Sequence, residues 1–326
     1  MIVGILGAGA WGTALALTLH KNGHKIILWG HNSEHLEAIK TQGVNDRYLA
    51  SVALPEGWIY EHELAATIRQ SDFIIVAVPS KALRETARRL IGFAGVVVSV
   101  TKGIEASTGL TMTGILTEEA PGVRIAALSG PSLALEVARG IPTAVVVASR
   151  DESISIQVQA LFHRPSFRVY RSSDLIGIEL GGALKNVIAI AAGVCDGLGY
   201  GDNAKAALIT RGEAEMRRLG VACGARPETF SGLGGLGDLV VTCFSNLSRN
   251  RAFGEKVGRG GNIVEILATT VSAVEGYPTT RSAHQLAAQL RVEAPIISAV
   301  HAMLYEGKNV QQAVQDLLSR DSKVED

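Results

Sequence analysis

Lys185 is the only charge between residues 181 and 192, inside an apolar run. On a helix, Gly181, Gly182, Ile188 and Ala189 would share its face, a surface of mostly small side chains that another group could approach closely. An ammonium withdrawn from water without a partner is costly and its pKa falls, which would make it an acid–base group. The alternative is a lysine whose stem carries its charge out to solvent. Further along, Asp238 and Thr242 stand four apart after a glycine-rich turn and would share one helical face. Ser248-Arg249-Asn250 joins a guanidinium fork to short hydrogen-bonding side chains, which suits a phosphate monoester. A solvated helix start with a basic turn would have the same composition. The glycines at 232–237 are not a P-loop, because no Gly-Lys-Ser/Thr follows.

These side chains need a frame. In the first half, uninterrupted Val/Ile/Ala runs at residues 2–6, 25–29, 73–78, 96–100, 125–128 and 144–148 read as strands buried on both faces. Helical periodicity lies between them, as at residues 13–21 and 82–90. This alternation predicts a parallel α/β sheet of the doubly wound, Rossmann-like kind. After about Arg171 the pattern is helical throughout, with glycine-rich turns at residues 197–201 and 232–237. The expected division is a nucleotide-binding half, residues 1–171, and an all-helical substrate half, residues 172–326, with a ligand in the cleft between them. The charged end, Ser322 to Asp326, is expected to fray.

Gly7-Ala8-Gly9-Ala10-Trp11-Gly12 follows the first strand and opens a helix, the setting of a dinucleotide loop. The first glycine permits the turn, the second admits a pyrophosphate to the backbone, and the third lets helix and strand pack closely. At the end of the second strand, Gly30-His31-Asn32 lacks the acidic residue that would bind the ribose 2′-hydroxyl of NAD. That favours NADPH, with NADH still possible: Glu34 lies nearby as a first-turn helix residue, and an imidazole at His31 is a weaker phosphate partner than arginine. Lys102, in Thr101-Lys102-Gly103, closes a strand on the side where ligands sit, as do residues 77–80 and 128–132.

The chain has 326 residues, no net formal charge and 47% hydrophobic residues, enough for two ordinary domains. Balanced charge gives no electrostatic case for nucleic acid or a membrane surface. The apolar start lacks the basic beginning of a signal peptide, and charge and glycines interrupt the run around Lys185, which argues against a membrane span. Cys195, Cys223 and Cys243 have neither disulfide-framework nor zinc spacing and read as small hydrophobes in a reduced compartment. His20/His24 and His31/His35 have helical spacing but no third ligand, so they read as surface histidines and no metal is expected. A cytoplasmic globular protein is the working class.

These pieces, in this order, resemble the bacterial NAD(P)-dependent glycerol-3-phosphate dehydrogenases over essentially the whole chain. The match runs through residues 7–12, Asn45 with Tyr48-Leu49, residues 77–80, 101–103, 128–132, 136–142, 179–186 and 201–208, then 234–243, Ser248-Arg249-Asn250 and Glu275-Gly276. The combination of GGALKN, GLGDLxxTC and SRN is far more specific than the glycine loop alone. Membership implies reduction of dihydroxyacetone phosphate to sn-glycerol 3-phosphate, supplying phospholipid synthesis, and a homodimer. By position Lys185 matches the catalytic lysine, joined by Lys102, Asp238 and Thr242. Lys102, Gly130, Ser132, Lys185, Asn186, Asp238, Ser248, Arg249 and Asn250 match substrate contacts. Gly7, Gly9, Ala10, Trp11, Gly12, His31, Lys102, Ala134, Arg249, Ala273 and Glu275 match cofactor contacts. Ala10 replaces a common serine and Ala50 a frequent proline, without removing a group the chemistry needs. A related hydroxy-acid dehydrogenase, such as a 3-hydroxyisobutyrate or ketopantoate type, and a catalytically silent NADPH sensor are the competing readings. Lys102 and the Ser-Arg-Asn cluster favour a phosphorylated substrate.

Overall fold

The computed structural model describes residues 1–270 and 273–320; the end expected to fray lies outside the described residues. The apolar runs of the first half form β1 (Ile2–Leu6), β2 (Lys25–Trp29), β4 (Phe73–Val76), β5 (Val96–Ser99), β6 (Arg124–Ser129) and β7 (Thr143–Ala148). Two strands were not expected, β3 (Ile59–Glu61) and β8 (Phe167–Ser172). β3 is three residues long, too short for a periodic signal. β8 buries Phe167 and Val169 but exposes Arg168 and Tyr170, the alternation of an edge strand rather than a doubly buried one.

The strands pair in the order β3-β2-β1-β4-β5-β6-β7-β8. β1 lies between β2 and β4, so the chain direction across the sheet reverses beside the glycine loop, where α/β sheets bind ligands. The expected wholly parallel sheet is corrected at one place: β7 runs antiparallel to β6. The helix between them, Ala134–Arg139, has six residues and rises roughly 9 Å. A six-residue strand spans roughly 20 Å, so that helix cannot return the chain to the far edge for a parallel crossover.

The helical half is built around a 23-residue central helix, Leu175–Gly197. Asp174 caps it, accepting from Gly177 N at 3.0 Å, and also accepts from Arg226 N at 2.9 Å, which ties the start to the next turn of chain. Helices Asp202–Ala222, Asp238–Phe244, Arg249–Gly258 and Gly276–Gln289 pack against it. Gly193 and Gly254 let two of these backbones touch: a Cβ at Gly193 would lie 2.0 Å from the Arg251 carbonyl, and one at Gly254 2.0 Å from that of Ile190. By length and hydropathy the central helix could cross a membrane, but 94% of its apolar window is buried inside the protein. It is a core helix, as its lysine and glycines indicated. Glu179 on this helix accepts from Thr113 N at 2.8 Å and from the Thr113 hydroxyl, fastening it to the N-terminus of helix Met112–Glu119 in the other half.

Candidate active site

The glycine loop has the geometry its spacing required. Gly7 sits at φ +127°, donates to Trp29 O at 2.9 Å, and a Cβ there would meet the Ala77 carbonyl at 2.6 Å. A Cβ at Gly12 would lie 2.0 Å from the Gly7 carbonyl. Gly9, the N-cap of helix Ala10–Lys21, has nothing within 4 Å of its Cβ position, leaving the open approach a pyrophosphate needs. The buried Asn45 braces the loop, donating to Ala8 O at 3.0 Å and to Thr13 Oγ1 at 2.8 Å. The residues present therefore fit a dinucleotide. Ala10 and Trp11 open the helix, and Ala134 opens helix Ala134–Arg139, which packs against it.

Lys185 does not reach solvent. It is 6% exposed, and its ammonium donates to Asp238 Oδ1 and to Thr242 Oγ1, the latter at 2.7 Å. Lys102 Nζ donates to the other oxygen, Asp238 Oδ2, at 2.6 Å. One carboxylate, itself 1% exposed, thus faces two ammonium groups from opposite halves of the chain. Thr242 completes the unit by donating to Asp238 O at 2.6 Å. Burial pushes Lys185 down to about 7, with the Asp238 carboxylate opposing the shift and the Lys102 ammonium adding to it.

The groups that approach the small-residue face of the central helix closely belong to the protein itself. A Cβ at Gly181 would lie 2.3 Å from the Gly234 carbonyl, and one at Gly182 would lie 2.5 Å from Ser129 Oγ and 3.5 Å from the Lys102 stem. The glycines bring in the π-type turn Leu233–Gly237, which delivers Asp238, and seat Lys102 against the helix.

The Ser-Arg-Asn triplet divides its tasks. Ser248 caps helix Arg249–Gly258, accepting from Arg251 N at 3.2 Å. Asn250 is buried, donating to Asn186 Oδ1 at 2.9 Å and accepting from Gly276 N at 2.9 Å. Asn186 itself donates to Gly182 O at 3.4 Å. Arg249 is the exposed member, open to water on one side. The surrounding protein still draws its guanidinium below the usual arginine range, with the Glu275 carboxylate opposing. Glu275 accepts from Ser80 N at 3.1 Å and Ser80 Oγ at 2.6 Å, so it spans the two halves. Ser80 was quoted in the sequence only as part of a strand-end motif; its position just past β4 was the available signal.

Gly130 takes φ +129° and Ser132 Oγ donates to Gly130 O at 2.9 Å, while neighbouring Pro131 lies 3.7 Å from the Cβ position of Gly237, beside the Asp238 turn. His31 is exposed past the end of β2, Glu34 occupies the first turn of helix Ser33–Gln42, and Ala273 is exposed beside two residues outside the described set. Cys195 and Cys243 are buried, their thiols pushed up by burial to about 11 and about 12. His20, His24 and His35 are half-buried rather than surface residues, with the His24 Nε2 3.2 Å from Leu161 O. Elsewhere, His284 and His301 stack at 4.1 Å with Glu306 beside them. Parallel stacked rings aim their lone pairs side by side rather than at one point, and no metal role is assigned to them.

An open α/β sheet with a dinucleotide loop at its switch point, facing a buried lysine–carboxylate–lysine centre in a helical half, defines a dinucleotide-dependent oxidoreductase. The family model of the NAD-dependent glycerol-3-phosphate dehydrogenase N-terminus matches residues 2–155, and that of the C-terminus matches residues 174–315. A glycerol-3-phosphate dehydrogenase [NAD(P)+] of Syntrophotalea carbinolica is 48% identical, covering 100% of this chain and 99% of that protein; one from Chlorobium luteolum is 46% identical with the same coverage. The crystal structure of glycerol-3-phosphate dehydrogenase from Coxiella burnetii superposes with a TM-score of 0.94 at 42% identity, covering 98% of this chain and 99% of that one. A ketopantoate reductase from Ralstonia eutropha, at 17% identity and a TM-score of 0.58, shares the fold alone. The chain belongs to the NAD(P)-dependent glycerol-3-phosphate dehydrogenase family.

Proposed function

We propose that this chain reduces dihydroxyacetone phosphate to sn-glycerol 3-phosphate with NADPH, and that Lys185 donates the proton. The observation that carries the reading is the meeting of Lys185 and Lys102 on one buried carboxylate. NADPH supplies the hydride, and NADH fits the same glycine loop. Gly7, Gly9, Ala10, Trp11 and Gly12 hold the coenzyme, with His31, Ala134, Ala273 and Glu275 along its length. Lys185, as an ammonium, gives a proton to the ketone oxygen as negative charge grows there, and takes one back in the oxidation direction. Lys102 orients and polarises the carbonyl, while Asp238 and Thr242 hold Lys185 in place. Gly130 and Ser132 line the substrate side, and Asn186, Ser248 and Asn250 fix the helix start that carries Arg249.

Arg249 takes the substrate phosphate. Arg249→Ala should raise the Michaelis constant for dihydroxyacetone phosphate by roughly 10-fold or more, the worth of a charge-assisted hydrogen bond. Unphosphorylated dihydroxyacetone should be affected far less; equal losses with both ketones would remove the phosphate role.

The product enters glycerophospholipid synthesis in the cytoplasm, in keeping with the family. We take residues 1–171 as the coenzyme half and 172–326 as the substrate half, a division supported by the end of the sheet at Ser172. A homodimer is supported by the exposed apolar side chains Leu236, Val240, Phe244 and Leu247 along one short helix and its flanks.

A further inference from the structure

The end of β2 is where an adenosine ribose lies when a pyrophosphate rests on the glycine loop, because Gly7 N donates to Trp29 O and joins the two. No carboxylate stands at Gly30, His31 or Asn32, so a 2′-phosphate meets no repulsion there, but a source of positive charge is needed. Asn32 does not provide it: its side chain accepts from His35 N at 2.8 Å and caps the helix. An imidazole at His31 lacks the planar two-donor fork that matches a phosphate.

A fixed charge comes from another segment. The short helix Asp46–Leu49 is anchored to the glycine loop by Asn45. Its Tyr48 packs edge-on against His35 at 5.2 Å between ring centroids, which places the turn beside the first residues of helix Ser33–Gln42. The Arg47 guanidinium lies 5.3 Å from the Tyr48 ring centroid, is exposed, and makes no ion pair among the described residues. Other exposed arginines, such as Arg88 and Arg259, are matched by carboxylates. His35 is held below the usual histidine range by burial first, with Arg47 and His31 both near enough to push it further in the same direction. The Arg47 guanidinium, without an ion pair among the described residues, and the exposed His31 imidazole are thus both neighbours of His35, in the first turns of the helix that follows β2.

We propose that Arg47 binds the adenosine 2′-phosphate and sets the preference of this enzyme for NADPH over NADH. The inference rests on the reading of the chain as an NAD(P)H-dependent reductase and extends it to coenzyme choice. An arginine over an aromatic ring offers two parallel N–H donors to a phosphate with little loss of side-chain freedom, and a carboxylate-free strand end leaves it unopposed.

The test is steady-state reduction of dihydroxyacetone phosphate with each coenzyme by the wild type, Arg47→Ala and Arg47→Lys, together with binding of 2′,5′-ADP and 5′-AMP. Arg47→Ala should lower kcat/KM for NADPH by roughly 10- to 100-fold, through KM, while NADH changes by no more than about 2-fold. Arg47→Lys should recover part of the loss. In the binding arm, 2′,5′-ADP should weaken by a similar factor and 5′-AMP should not. An unchanged NADPH-to-NADH ratio, or equal losses with both coenzymes and both nucleotides, would overturn the assignment. If the wild type oxidised neither coenzyme, the reductase reading would fail, whereas the nucleotide arm, which needs no turnover, would still decide the role of Arg47.

Discussion

The Asp238 carboxyl group receives two ammonium groups: Lys185 is buried with it, while Lys102 keeps one side open to the cleft. Burial loosens the Lys185 proton to about 7, with the Asp238 carboxylate opposing and the Lys102 ammonium adding to the shift, and the proton is offered where an alkoxide would form. Reduction needs the protonated lysine, so its rate falls as pH rises through about 7, and oxidation, which needs the free amine, gains over the same range. Asp238 is the influence that raises this pKa, so Asp238→Asn should move the midpoint of the reduction limb to lower pH as well as reduce kcat. Initial rates of both directions between about pH 5 and 9 check this. A limb that stayed in place would show that Asp238 does not act on the Lys185 proton. The sequence left Lys185 open between a snorkelling side chain and a buried acid, because its partner lies 53 residues away and only the fold brings them together.

At the scale of elements, the central helix and the π-type turn before Asp238 form one unit. The contact is backbone to backbone, with no space for a methyl group at Gly181. Gly181→Ala should displace the turn and Asp238 with it, costing about 1–3 kcal/mol of stability as overpacking does. It should also lower kcat although residue 181 carries no reacting group. Denaturant unfolding alongside turnover measures both; a variant with wild-type stability and rate would show that the turn is not held by this contact. The glycine loop and six strands were legible because their signals are local: a fixed spacing, or a run buried on both faces. β8 and the reversed direction of β7 were not, since one alternates like an edge and the other depends on how far a short helix can carry the chain. What approaches Gly181 and Gly182 was not legible for the same reason. A small residue signals close approach, but its neighbour is chosen by the fold. The bridge that the Asn250 amide makes between Asn186 and Gly276 was likewise illegible, because both partners lie far away in the sequence.

Across the whole molecule, the two halves meet through polar ties: Glu179 with Thr113, Glu275 with Ser80, and Lys102 with Asp238. The helical half has its own buried acid in Glu215, which accepts from Ile296 N at 2.7 Å and Ile297 N at 3.1 Å at the start of helix Pro295–Tyr305. Burial raises Glu215 to about 7, above its ordinary value, against the pull of those two donors. The folded state therefore holds this proton where the unfolded chain has released it, and the stability contributed is lost as pH rises from the ordinary carboxylate range through about 7. Glu215→Gln should flatten that decline by on the order of 1 kcal/mol between about pH 5 and 8, seen in denaturant midpoints. An equally steep decline in the variant would point to other groups. Coenzyme binding and proton donation are thus separable in function though the two halves are joined in structure. Turnover and NADPH binding of Lys185→Ala, measured on the same preparation, test this most directly. The expected result is a kcat lower by at least about 10²-fold with NADPH binding retained. A near-normal kcat would contradict it.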